Sequence, residues 1–185
     1  MRGPVRWEIS AGAALLFSLL FFLDSSGVVS ALFPAALTHE LGHLAALTCC
    51  RCRLTRVRIT LTGAQLDYAP EPEGAKKLLC IVSGPLAGFL YAFAACSVGG
   101  GFWQLSGSVS FLLSVFNCLP ILPLDGGRIA AALLPERPAA ILSLAAALLL
   151  LSSGAFLALR FASFPQLLMG AWLAACNLRL PGREK

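Results

Sequence analysis

Both histidines of this 185-residue chain lie in one five-residue stretch, His39-Glu40-Leu41-Gly42-His43. On a helix, residues four apart share a face, so the two imidazoles can bind the same metal ion. Glu40, beside the first histidine, can act as a general base for a water at that metal. Catalytic zinc usually has three protein ligands and one open position. The stretch therefore predicts part of a hydrolytic zinc site; two buried histidines satisfied by local hydrogen bonds are the alternative.

The third ligand is expected to be an acid in apolar surroundings, and Asp125 is the candidate. Of the nine acidic residues, only Glu40 and Asp125 lie away from the termini, the charged segments and the turn at Asp24. Asp125 belongs to "NCLPILPLDGGRIAAALL", in which Pro120 and Pro123 break the helix before the acid. Irregular backbone at membrane depth is tolerated where it lines a cavity or is buried in protein. A helix-capping aspartate at the membrane edge is the alternative.

The composition is that of a membrane protein. The chain is 58% hydrophobic and only 12% charged, and a soluble domain of this length needs more polar surface. We therefore expect an all-α polytopic membrane protein that forms a single domain, residues 1–185, with the lipid bilayer as a partner. The net charge of +5 does not indicate a nucleic-acid partner, because basic residues collect at membrane edges.

Hydropathy predicts about six transmembrane helices. Their approximate bounds are 7–23, 28–48, 77–98, 105–134 (broken by prolines), 139–159 and 161–178. With six spans both termini lie on one side, which then carries all 14 basic residues except Arg160. The positive-inside rule places this side, and both termini, in the cytoplasm. His39 lies about eleven residues, roughly 16 Å, from the outer start of its span, so the metal is expected inside the membrane, nearer the cytoplasm.

A small β-hairpin is predicted on the cytoplasmic side between helices two and three. Val57, Ile59 and Leu61 alternate with polar residues, which is the period of a strand, and Gly63 can turn the chain. The hairpin is either a surface loop with one apolar side or an edge strand that receives an extended peptide.

The seven cysteines include a cluster at Cys49, Cys50 and Cys52, directly after the second span. A metal clip there is one interpretation, although the spacing is tighter than the usual CxxC arrangement. A reduced cytoplasmic cluster without a ligand role is the other.

Three stretches together resemble the site-2 protease family of intramembrane zinc metalloproteases. They are HELGH at 39–43, SGPLAG at 83–88 and NCLPILPLDGGR at 117–128. The resemblance extends over nearly the whole chain. It implies cleavage of peptide bonds in or near transmembrane segments of membrane-tethered protein substrates, that is, regulated intramembrane proteolysis.

The resemblance also assigns roles to individual residues. It implies that His39, His43 and Asp125 bind Zn²⁺, that Glu40 is the general base, and that Asn117 contacts the substrate near the scissile bond. For Asn117 an interhelical hydrogen bond is the alternative.

The six-span plan is similar to the sporulation branch of that family. Members of that branch release a membrane-tethered sigma factor on the cytoplasmic side of the bacterial cell membrane. The sequence carries neither the CBS domain common in that branch nor the PDZ domain of the envelope-stress branch. Release of a transcription factor is therefore an expectation from the six-span plan alone.

Two other functions were weighed against the intramembrane protease. One is a metalloprotease with a glutamate as third ligand and a soluble catalytic region. The sequence has no downstream glutamate in a suitable helix, which argues against it. A non-proteolytic metal-binding membrane scaffold or transporter would have no need of a base beside its first ligand, so Glu40 argues against it.

Overall fold

The structure is a computed structural model that describes residues 6–60 and 63–178. Its helices are α1 (Ala11–Leu23), α2 (Val28–Cys49), α3 (Gly74–Val98), α4 (Gly101–Asn117), α5 (Asp125–Leu133), α6 (Glu136–Phe161) and α7 (Pro165–Leu178). Its strands are β1 (Arg6–Ile9), β2 (Arg53–Thr60) and β3 (Gly63–Ala69). The residues divide into two compact units, one up to Val115 and one from Phe116 onward. Leu61 of the predicted hairpin, and Arg2, Arg179, Arg183 and Lys185 of the charge argument, lie outside the described residues.

The start of the first predicted helix is wrong, because Arg6–Ile9 forms β1 and helix α1 begins only at Ala11. β1 pairs in parallel with β2, with Trp7 opposite Val57. Charged and apolar residues alternate along β1, which is the pattern of a strand. The long apolar run that follows it makes the whole segment resemble one helix in a hydropathy reading. The carboxylate of Glu8 binds two arginines of β2, Arg56 at 3.4 Å and Arg58 at 3.1 Å.

The predicted hairpin is confirmed. β2 and β3 are antiparallel, with Thr60 opposite Gly63, and they lie between α2 and α3 in the chain. The strand order is β1-β2-β3, so the sheet has one strand more than predicted. β3 is an edge strand in this order, and its use by an extended peptide stays a prediction.

The fourth predicted span divides into two helices separated by residues 118–124. α4 ends at Asn117 and α5 begins at Asp125, because Pro120 and Pro123 have no N–H to donate to a continuing helix. Among the described helices, α3 and α6 are long and apolar enough to cross a membrane, and α1 contains a shorter apolar segment. The count of six spans therefore stays a prediction.

In the first unit, α2 and α3 approach closely through small residues, and buried serines attach α4 to both. A Cβ on Gly42 of α2 would overlap the carbonyl oxygen of Ser83 on α3. The hydroxyl of Ser106 donates to Ala31 O of α2 at 2.9 Å, and that of Ser110 donates to Gly88 O of α3 at 2.9 Å. Such contacts hold helices together where lipid removes the hydrophobic driving force between them.

The start of α2 is held by the carboxylate of Asp24. Its oxygens accept hydrogen bonds from the backbone N–H of Val29 at 2.8 Å and of Val28 at 3.3 Å, and from the hydroxyl of Ser26 at 2.7 Å. The Ser26 hydroxyl, together with the backbone N–H groups of Val29, Ser26 and Ser30, lowers the pKa of Asp24. A lowered folded-state pKa means that this cap contributes above the usual aspartate range and is lost on acidification.

In the second unit, α6 and α7 form an antiparallel pair whose backbones meet at two glycines. A Cβ on Gly154 would lie 2.7 Å from Leu167 Cα, and one on Gly170 would lie 2.7 Å from Leu151 Cα. Ile121, Ala147, Leu173 and Ala174 form the buried apolar cluster of this unit. The backbones of the two helices are therefore in contact at Gly154 and Gly170, and neither position has space for a side chain.

We expect Gly154→Val to destabilise the protein by about 1–3 kcal/mol, because the added atoms overlap the backbone of α7. The measurement is thermal or denaturant unfolding of the detergent-solubilised chain. Gly101→Val is the control, since a Cβ at Gly101 meets no atom within 4 Å. Equal stability of the two variants would contradict the close α6–α7 approach.

Candidate metal centre

α2 brings the two histidines of the HExxH motif together. The Nε2 atoms of His39 and His43 lie 3.2 Å apart, His39 is 5% exposed, and His43 is half-buried. In a tetrahedral zinc site with Zn–N distances of about 2.0–2.1 Å, two ligand nitrogens lie about 3.3–3.4 Å apart. The observed separation therefore fits two imidazoles that converge on one ion.

A carbonyl group of α3 orients the His43 ring. His43 Nδ1 lies 2.8 Å from Cys80 O, and a carbonyl oxygen can only accept, so Nδ1 carries the proton and donates. In the neutral ring the lone pair is then on Nε2, the atom directed at His39. Ligating histidines usually have such a partner on the second nitrogen, where it sets the tautomer and the ring direction. The donor set thus fits a metal ion.

Gly84 of α3 provides the space that the His43 ring occupies. A Cβ on Gly84 would overlap the ring at Nε2 and would lie 2.7 Å from Cδ2. Gly84 belongs to the SGPLAG stretch. Its structural role is to let α3 pass directly beside the His43 ring.

Glu40 follows the first histidine on α2 and is half-buried. Neighbouring residues on a helix do not share a face, so Glu40 is not expected to join the two histidines as a ligand to the same ion. Its role as general base stays a prediction.

Asp125 and Asn117 lie on either side of the broken segment 118–124. Asp125 is the first residue of α5 and is 5% exposed, and Arg128 Nη1 lies 3.8 Å from its Oδ1. The helix N-terminus and this arginine both interact favourably with the negative charge of the carboxylate. Asn117 is the half-buried last residue of α4.

Sequence reasoning did not find the carbonyl of Cys80. Main-chain groups carry no signal of their own. The side chain of Cys80 is buried with Cys52 in one apolar cluster with Ala46 and Leu47. Cys50 packs against the same cluster and is half-buried.

Two of the three comparisons with known proteins gave matches. Residues 99–161 match the family model "Peptidase family M50", a range that includes Asn117 and Asp125 but not the HExxH motif. The solved structure of the site-2 protease from Methanocaldococcus jannaschii matches with a TM-score of 0.69 and 21% identity, over 100% of this chain and 97% of that one. At this identity the likeness is one of fold. Comparison with curated protein sequences finds no significant match.

We expect Gly84→Ala to weaken metal binding by at least about tenfold, because the added methyl displaces the His43 ring from its partner carbonyl. The measurement is the zinc affinity of the purified chain, by competition with a chromogenic chelator. Gly88→Ala is the matched control one turn along α3, where the methyl meets the side-chain hydroxyl of Ser114. Zinc affinity that falls equally in both variants would show a general packing effect.

Proposed function

Because the chain resembles the site-2 protease family in its motifs, in its match to the M50 peptidase model and in its fold, we propose that it is a zinc metalloendopeptidase of membrane-tethered proteins. The family match and the fold support a metalloprotease of the membrane. The observation that carries the proposal is the 3.2 Å approach of His39 Nε2 and His43 Nε2, with Glu40 next to His39 in the sequence. The motif and the family match fall on different parts of the chain, so they support the proposal independently.

We propose Asp125 as the third ligand of the site. Two imidazoles leave a catalytic zinc ion one protein ligand short. Asp125 and His39 are buried and His43 is half-buried. A buried carboxylate is costly unless it is paired or coordinates a metal ion. Asp125 also lies within the range matched by the peptidase family.

Each residue of the proposed site then has a distinct task in amide hydrolysis. A zinc ion held by His39, His43 and Asp125 supplies the Lewis acidity that this reaction needs. The carboxylate of Glu40 accepts the proton of the attacking water and returns it to the leaving amine nitrogen. The Cys80 carbonyl keeps the proton on His43 Nδ1 and so keeps Nε2 available.

The proposed substrates are proteins with a transmembrane segment that unwinds locally, since a helical peptide bond is shielded by its own hydrogen bonds. Asn117, at the end of α4, is proposed to contact the unwound backbone beside the scissile bond. We further propose a multi-pass topology with both termini in the cytoplasm, in a bacterial cell membrane. Release of a transcription factor to the cytoplasm, as in the sporulation branch, is the corresponding regulated proteolysis.

We expect Glu40→Gln to lower cleavage by about 10²–10⁴-fold, the usual contribution of a general base, without loss of zinc. The assay uses purified protein, a panel of reporters tethered by transmembrane segments rich in glycine or proline, and bound zinc per chain. Glu73→Gln, a change of an exposed acid before α3, is the matched control and is expected to cleave normally.

The outcomes separate the intramembrane protease from the metal-binding scaffold or transporter. Equal cleavage by wild type and Glu40→Gln would refute the protease mechanism. A wild type that binds zinc and cleaves no reporter, even in a proteome-wide comparison of membrane protein fragments, would favour the scaffold or transporter. Undiminished zinc affinity in Asp125→Asn would refute the third ligand.

A further inference from the structure

Two buried polar residues of α6 and α7 hold the segment that leads to Asp125. Leu122 lies in the proline-broken stretch, and both of its main-chain groups bind side chains from these helices. Its N–H donates to Ser143 Oγ at 2.7 Å, and its carbonyl oxygen accepts from Asn177 Nδ2 at 2.7 Å. Ser143 is 1% exposed and Asn177 is 8% exposed.

The same two side chains are bound to each other. The Ser143 hydroxyl donates to Asn177 Oδ1, and Asn177 Nδ2 also donates to Leu173 O at 2.8 Å. The amide therefore faces two carbonyl oxygens with its nitrogen and a hydroxyl with its oxygen, which fixes its orientation. A buried network whose members are all bound defines one arrangement, whereas a partly broken one leaves costly unpaired groups.

Close backbone contacts connect this held segment to the residues directly after Asp125. The two residues after the aspartate are glycines whose Cβ positions are already filled by the held segment. A Cβ on Gly126 would overlap Cys118 O, and one on Gly127 would lie 2.5 Å from Leu122 N. The first turn of α5 thus rests directly on the backbone that Ser143 and Asn177 hold.

We propose that Ser143 and Asn177 are positioning residues for the ligand Asp125. They hold Leu122, Leu122 supports the glycine turn of α5, and that turn sets the direction in which the Asp125 carboxylate points. The inference rests on the proposed function in one respect, the role of Asp125 as a metal ligand. Outer partners of metal ligands typically contribute 10–100-fold to metal affinity.

α6 and α7 contain a second serine–amide pair that serves as a control. Gln166 Nε2 of α7 donates to Ser153 Oγ of α6 at 2.7 Å, and Ser153 donates to Leu150 O within its own helix. This pair joins the same two helices through the same chemical groups. Both of these hydrogen bonds lie within α6 and α7, so the pair reports the effect of helix pairing without a bond to the segment before Asp125.

The experiment measures zinc affinity by chelator competition, and unfolding temperature, on the full-length chain in detergent. We expect Ser143→Ala and Asn177→Leu each to weaken zinc binding by about 10–100-fold. Ser153→Ala and Gln166→Leu are expected to keep zinc affinity within about twofold, even if they lower the unfolding temperature. The double variant Ser143→Ala/Asn177→Leu should resemble the single ones, because each change breaks the same link.

Several outcomes overturn the proposal. One is a lower unfolding temperature in Ser143→Ala with unchanged zinc affinity, and another is an equal loss of affinity in the Ser153 control. If Ser143→Ala fails to fold, Ser143→Cys keeps nearly the same volume with a weaker hydrogen-bonding group. It should then show a smaller loss of affinity, and unchanged affinity would count against the proposal.

Asp125→Asn separates this proposal from the proposed function. If Asp125→Asn weakens zinc binding and the Ser143 and Asn177 variants do not, only the positioning role fails. If Asp125→Asn leaves zinc affinity unchanged, the third ligand itself is wrong, and the proposed metal site fails with it.

Discussion

The hydrogen bond from His43 Nδ1 to the carbonyl oxygen of Cys80 is the contact on which the paired imidazoles of the candidate metal site depend. A histidine can ligate through Nε2 only when its other nitrogen holds the proton. That condition requires an acceptor at a fixed place beside α2, and α3 supplies it from its own backbone. A helical carbonyl can accept this extra bond, and here the Ser83 hydroxyl donates to it as well, at 2.8 Å.

This contact in turn demands a close approach of α2 and α3. Gly42 and Gly84 allow it, since each faces the other helix at a place where a side chain would overlap backbone or the His43 ring. Serines of α4 complete the arrangement with hydrogen bonds to Ala31 O and Gly88 O. Small residues and buried hydroxyls are the means by which helices associate in lipid. Here Gly84, one of the glycines that bring α2 and α3 together, also leaves space for the His43 ring.

The second unit holds an irregular segment, residues 118–124, in an apolar protein. Pro120 and Pro123 prevent a helix between α4 and α5, and the freed backbone must find partners elsewhere. Ser143 and Asn177 bind both main-chain groups of Leu122, and the glycines after Asp125 let α5 begin against this backbone. The break places a carboxylate at the start of a helix, where the exposed N–H groups favour its charge.

The sequence by itself determined that the two histidines of the first unit share one face of a helix. HExxH needs only helical periodicity to place two imidazoles on one face, and α2 runs within one residue of its predicted bounds. The alternation at Val57 and Ile59 likewise predicted the hairpin, because strand period is a local property. The break around Asp125 followed from prolines alone.

Only the tertiary structure decided the parts that depend on residues distant in the chain. β1 is a strand because β2 lies beside it, since an alternation over only four residues is too short to predict a strand by itself. The Cys80 carbonyl has no signature, since every residue carries the same group. Asn177 stood in the apolar stretch "AWLAACNL" as a visible polar residue, but its partners are 34 and 55 positions away. Periodicity reports which face a residue occupies; the identity of the atom opposite that face is a property of the fold.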